Sequence, residues 1–149
     1  TQSILESGWG TSRFARQGNA LFGQRTWSAG TPGMNPQKAK GFKVRAFDNL
    51  LASVEAYVRN LNVTGAYADL RRQRARMRAQ DRRIDGYQLA GTLTSYSEEG
   101  QLYVSKLRGL MQHNGLRAFD DARLRRQTIA QRVIPDADVD AVQVALAQN

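Results

Sequence analysis

The chain has 149 residues, enough for one domain with a sizeable buried core. It has no cysteine, which excludes disulfides and thiolate metal sites, and its net charge of +9 favours an anionic partner: nucleic acid, phospholipid or an acidic cell-wall polymer. No run approaches the roughly 18 apolar residues that span a bilayer, and a start without Met, close to the most distinctive motif, is what a processed or trimmed piece would show.

Residues 1–7 read as the end of a helix, stopped near Gly8 and Gly10. Residues 16–41, rich in Gly, Asn, Ser and Pro, predict an irregular segment. "GFKVRAF" (41–47) alternates apolar and basic residues, the period of a short strand, with residues 21–26 as its partner in a small hairpin. Asp48 or Asn49 can cap a following helix on which Leu50, Leu51, Val54, Tyr57, Val58 and Leu61 share a face. A second helix is expected over 66–80, with Tyr67, Leu70 and Met77 inward and many arginines outward. A third is expected over 85–93. A fourth, over 98–113, turns Tyr103, Leu107, Leu110 and Met111 inward. A shorter helix over 116–126 and a weak one from about 136 complete a mostly α chain with one small β element.

With one histidine and no cysteine, no zinc cluster and no Ser-His or Cys-His dyad can be assembled, so no metal or cofactor is expected. His113 falls at a helix C-terminus, where its charge suits the dipole. "LRRQRARMRAQDRR" (70–83) lacks interleaved aromatics and any phosphate cradle, so it reads as a solvated helix face rather than a nucleic-acid reader. Glu6 differs from both. It stands in "ILESGWGTSRFA" (4–15), and the next acid in the chain is Asp48. A carboxyl half-buried against Trp9 at a cleft edge would hold its proton near neutral pH, as a general acid must. A capping or simply buried Glu remains the ordinary use of such a residue.

"ESGWGTSRFARQGNALFGQ" (6–24) resembles the active-site signature of the bacterial glucosaminidases, glycoside hydrolase family 73, and most closely its Bax-like branch. "VRAFDNLLASVEAYVRNLN" (44–62) and "LTSYSEEGQLYVSKLRGL" (93–110) resemble two further family segments, in the same order. The likeness runs from about residue 2 to 113. It implies a lysozyme-like α fold with a small β-hairpin lobe over residues 1–126, its N-terminal helix truncated, and a C-terminal extension over 127–149 packed on the same domain. It also implies hydrolysis of the β-1,4 bond after N-acetylglucosamine in peptidoglycan.

Residue by residue, the resemblance puts Glu6 on the family's general acid and Tyr96 on the tyrosine that lines the cleft opposite it. Asn19, Leu21, Phe22 and Gly23 fall on the motif that shapes the cleft floor, where Asn19 can tie loops together instead of touching sugar. Gln24, which closes that motif, joins Trp9, Trp27, Phe22 and Tyr103 as a candidate sugar contact, although Phe22 and Tyr103 fit core positions equally well. Two-carboxylate glycosidases need a second acid about 5 to 9.5 Å away. Residues 7–47 contain none, which leaves Glu98 and Glu99, with Glu98 the nearer to Tyr96. The more economical mechanism lets the sugar's own acetamido oxygen attack, with Tyr96 stabilising the resulting charge. The expected partners are peptidoglycan strands and anionic wall polymers in the periplasm or cell envelope, with no nucleic acid and no membrane span. A muramidase or lytic transglycosylase on the same fold stays open, as does a module that binds wall or nucleic acid without catalysis.

Overall fold

The computed structural model describes residues 1–37 and 40–122, and within them each element follows from a local signal. Helix α1, Gln2–Ser7, ends at Gly8, whose left-handed backbone lets its N–H reach Ile4 O. Helix α2, Arg13–Gly18, lies in the stretch expected to be irregular from residue 16 onward. Ser12 begins it, its hydroxyl accepting from Ala15 N, and Gly18 and Asn19 so close behind made its last three residues, 16–18, look like loop.

Three short strands follow: β1, Arg25–Thr26; β2, Gly33–Met34; and β3, Lys43–Arg45. The expected pairing of β3 with the 21–26 stretch forms, Arg25 opposite Val44 and Thr26 opposite Lys43. β3 is nevertheless the central strand rather than half of a hairpin, because β2 pairs antiparallel with its other edge. Gly33 permits that approach: a Cβ there would lie 2.8 Å from the Lys43 side chain.

Helix α3, Leu50–Val63, is capped by Asn49, which accepts from Ala52 N at 2.9 Å. Only part of its expected apolar stripe faces inward. Leu50, Leu51, Val54 and Val58 are exposed, and the inward face carries fully buried Ser53 with half-buried Tyr57 and Leu61. The two faces share a 3.6-residue period, so spacing could not separate them. Ser53 turns inward because its hydroxyl satisfies Leu21 N, holding α3 against the loop below it.

A 3₁₀ turn, Gly65–Tyr67, leads into α4, Ala68–Ala79, and Tyr67, Leu70 and Met77 are buried as expected. The arginine face is not wholly solvated. Arg71 donates to Leu61 O and Thr64 O, which closes the end of α3, and Arg74 donates to Asn62. Helix α5, Gly86–Ala90, is capped by Asp85 and shorter than expected. Helix α6, Gln101–His113, begins after Gly100, so Glu98 and Glu99 lie before its first turn. It supplies the centre of the core, Tyr103, Val104, Leu107 and Met111, with Leu110 only half-buried. Leu116–Asp121 form a 3₁₀ turn rather than a longer helix, and residues 123–149, including the anticipated extension, fall outside the described part.

The result is the expected class, mostly α with a small antiparallel sheet on one side. Tyr67, Leu70, Leu93, Tyr103, Leu107 and Met111 form one continuous core, with Tyr96 and Leu5 packed on its edge. No described helix is long and apolar enough to cross a membrane.

Candidate active site

A cleft of about 880 Å³ runs between the sheet and the helical core. One wall is Phe22, Gly23, Gln24 and Arg25 leading into β1, with Arg45 of β3. Arg59, Asn60 and Val63 of α3 line it, as does Tyr67. The segment 95–99 supplies Tyr96, Glu98 and Glu99, and Glu6 stands in the cleft from the end of α1.

Glu6 is half-buried, and burial raises its carboxyl pKa above the ordinary carboxylate range. The Tyr103 hydroxyl opposes that shift, and the charge of Glu99 adds to it. Its apolar surroundings are not the ones foreseen. Trp9 lies outside the cleft and is 62% exposed, in a left-handed conformation that is strained for so large a residue. Glu6 is surrounded instead by tyrosines, for its charge is felt by Tyr57, Tyr67, Tyr96 and Tyr103, whose own pKa values burial pushes up. Gly23 shows how closely the opposite loop approaches: it has φ +59°, and a Cβ there would lie 3.4 Å from Glu6 Oε2.

Tyr96 reaches across the base of the cleft. Its hydroxyl donates to Phe22 O at 3.0 Å, and its ring stacks on Tyr103 with centroids 5.5 Å apart. Phe22 is buried and lines the cleft, with its ring stacked on Tyr57, centroids 3.9 Å apart. Gln24 reaches the cleft as expected, and its Oε1 is buried without a hydrogen-bond partner among the described residues. An acceptor in that state favours a ligand that brings a hydroxyl or amide N–H.

The structure separates the remaining candidates. Tyr103 is a core residue that touches the site through its hydroxyl rather than its face. Asn19, the left-handed cap of α2, donates to Phe47 O at 2.9 Å and so ties loops together outside the cleft. Trp27 is 74% exposed beside Phe42 in a separate depression on the sheet, away from the cleft lining. Glu98 lies in the cleft with its carboxylate held by Arg25 at 3.1 Å. Glu99 is bound by Lys106 at 2.5 Å, and of the pair it is Glu99, not Glu98, whose charge Glu6 feels.

Sequence reasoning missed two arginines of the cleft, and it missed Gln2 and Tyr57, which line a neighbouring hollow. Gln2 is buried, donates to the Tyr103 hydroxyl at 3.0 Å and accepts from Tyr57. Arg45 and Arg59 face the cleft with no acidic partner among the described residues. The four-residue spacing from Gln2 to Glu6 puts both on one face of α1, and that was the available signal.

Comparison with known proteins identifies the family. A family model described as "Glucosaminidase: Mannosyl-glycoprotein endo-beta-N-acetylglucosaminidase" matches residues 1–116. Protein bax of Escherichia coli (strain K12) is 38% identical over 114 residues, which are 76% of this chain and 40% of that protein. The chain thus spans well under half the length of this curated relative. No solved structure matches. The chain belongs to the glucosaminidase family.

Proposed function

We propose that this domain is a peptidoglycan hydrolase, an endo-β-N-acetylglucosaminidase that cleaves the β-1,4 bond after N-acetylglucosamine, with Glu6 as the general acid. The observation that carries the reading is the Glu6 carboxyl, standing in an open cleft where burial among tyrosines raises its pKa above that of an ordinary Glu. The acid gives its proton to the leaving glycosidic oxygen while the anomeric carbon takes on positive charge. Burial supports that step, since a solvated carboxyl would already be ionised near neutral pH.

For the attacking group, substrate assistance remains the simpler account. The β-lobe has no acid to offer, and both Glu98 and Glu99 are engaged by cations. The sugar's acetamido oxygen then attacks C1, the glycosidic bond breaks, and water opens the cyclic intermediate. In this reading Tyr96 stabilises the charge that develops at the acetamido group, which its hydroxyl can reach only by leaving the Phe22 carbonyl or by acting through it. Gln24 Oε1, an acceptor without a partner among the described residues, and the cleft-lining Phe22 support a sugar-sized ligand. A wall substrate places the working protein in the cell envelope.

The test is digestion of purified sacculi with the wild type and Glu6→Gln, followed by mass spectrometry of the products. Reducing N-acetylglucosamine ends that vanish in the variant support the proposal. Reducing muramic acid or 1,6-anhydromuramic acid ends would assign a muramidase or a lytic transglycosylase instead. Salt-sensitive wall binding with no cleavage at all would leave only a binding module.

A further inference from the structure

The sheet carries a second surface feature that the proposed chemistry leaves unused. Trp27 directly follows β1 and is largely exposed, although tryptophan is on average a well-buried residue. It borders a depression of about 320 Å³ that Phe42, Ser28, Asn35 and Lys43 also line.

The chain on both sides of the indole is held. Thr26, the residue before it, is buried and pairs with Lys43 of β3. The Thr26 hydroxyl accepts from the backbone N–H of Ser28, the residue after it, at 3.3 Å. Strand alternation then turns Trp27 to the face opposite Thr26. Its ring leans on Phe42, with centroids 6.4 Å apart and planes tilted by 49°.

Phe42 also joins this depression to the cleft. The guanidinium of Arg25, which lines the cleft, lies 4.5 Å from the centre of the Phe42 ring. Arg25 and Trp27 are two residues apart on one face of the chain, roughly 7 Å along an extended backbone. An extended glycan that leaves the cleft past Arg25 therefore meets the indole next.

The lining selects among possible occupants. A pyranose ring has apolar C–H faces edged by hydroxyl and acetamido groups, and a flat aromatic face with polar side chains around it suits such a ring. Trp27 and Phe42 supply the face, while Ser28, Asn35 and Lys43 supply donors and acceptors. A stable protein partner needs on the order of 1,000 Å² of buried surface, and two rings among polar groups offer too little.

We propose that the Trp27 depression is a distal glycan subsite: one N-acetylated sugar of a strand stacks on the indole while another part of that strand occupies the cleft. This rests on the reading of the cleft as a site for β-1,4 glycan. Only a long strand reaches both places, and its second contact forms at the high effective concentration that the first one sets. The domain should therefore favour long strands over short ones.

The test uses peptide-free wall glycan strands, long and short, and reads binding and cleavage separately. For binding, Glu6→Gln is combined with Trp9→Phe, which blocks the proposed acid and leaves Trp27 as the one indole of the chain. Long strands should move the Trp27 emission to shorter wavelength as water leaves the ring, and vesicles of anionic phospholipid should not. For cleavage, the ratio of kcat/KM on long strands to that on short ones is compared between the wild type, Trp27→Ala and Trp27→Phe. The ratio should fall about tenfold in the alanine variant, the size of effect expected for one stacked aromatic face, and recover in the phenylalanine variant. An emission that does not move with glycan, an emission that answers to vesicles alone, or an unchanged ratio would overturn the proposal. Emission that shifts with glycan while the wild type cuts none would keep the subsite and remove the hydrolase reading.

Discussion

The cleft places three carboxyl groups in two unlike settings. Glu6 lies against tyrosine rings, with its charge penalised by burial and met by hydroxyls. Glu98 and Glu99 lie on the opposite rim, each engaged by a cation, and Glu98 is 87% exposed along its side chain. A carboxyl in the first setting is pushed toward its protonated form and can give that proton away, whereas the second setting pairs each carboxylate with a neighbouring cation. The contrast between a caged acid and a solvated rim, more than the presence of several acids, makes one of them the candidate catalyst. Substitutions that strike either side should therefore differ in size.

The largest effect is expected at the cage. Glu6→Gln keeps the shape and removes the proton, so the rate on sacculi should fall about 10²- to 10⁴-fold while wall binding and the circular dichroism spectrum stay as they were. A rate near wild type would erase the distinction between the two settings. Tyr96→Phe comes next, with an expected loss of about tenfold or more in kcat, because the hydroxyl anchors the Phe22 carbonyl and, in the proposed mechanism, stabilises the charge that develops. Its melting temperature should fall only by the equivalent of about 1 kcal/mol, the ordinary worth of one hydrogen bond. A stability loss with unchanged kcat would make Tyr96 a strut.

Much of this was legible in the chain and some of it was not, for reasons that particular residues show. Glu6 could be singled out because acids are missing around it, and the Asn49 cap and the β1–β3 pairing follow from local chemistry that neighbouring residues complete. The cage could not be read. Trp9 looked like the apolar partner of Glu6 because it is three residues away, yet Gly8, Trp9 and Gly10 all adopt positive φ and turn the indole outward. The tyrosines that replace it come from α3, the 3₁₀ turn, the 95–99 segment and α6, and only the tertiary fold brings them together. The turned face of α3, with Ser53 inward beside Tyr57 and Leu61, has the same origin. Ser53 is buried because one distant backbone N–H, at Leu21, needs an acceptor, and no periodicity reports that.

Charge on the cleft's other members sets the next size of effect. Arg45 and Arg59 face the cleft without acidic partners among the described residues, and a neutral sugar chain would not use them. Changing both to Gln should raise KM several-fold on glycan that carries peptide or lactyl carboxylates, and leave cleavage of a neutral N-acetylglucosamine oligomer nearly as it was. Each partly desolvated Arg–carboxylate contact is worth about 1 kcal/mol or somewhat more. Equal KM changes on both substrates would show that the arginines shape the cleft instead of reading charge.

The smallest effects are expected on the rim, and they carry the sign that separates the two mechanisms. The Arg25–Glu98 pair is exposed, so losing it should alter stability little. Glu98→Gln is expected to stay within about twofold of the wild-type rate, since a solvated pair near an acid that does not feel it contributes little to either binding or proton transfer. Glu99→Gln should also be mild at neutral pH but should leave a mark. Glu99 raises the Glu6 pKa by like-charge repulsion, so its neutralisation lowers that pKa, and Glu6 loses its proton earlier as pH rises. The alkaline limb should then move to lower pH. Initial rates and pH profiles of the two single variants on one defined glycan decide the matter. If either rim glutamate were the base or nucleophile, its Gln variant would be nearly as inactive as Glu6→Gln at every pH, and substrate assistance would be ruled out.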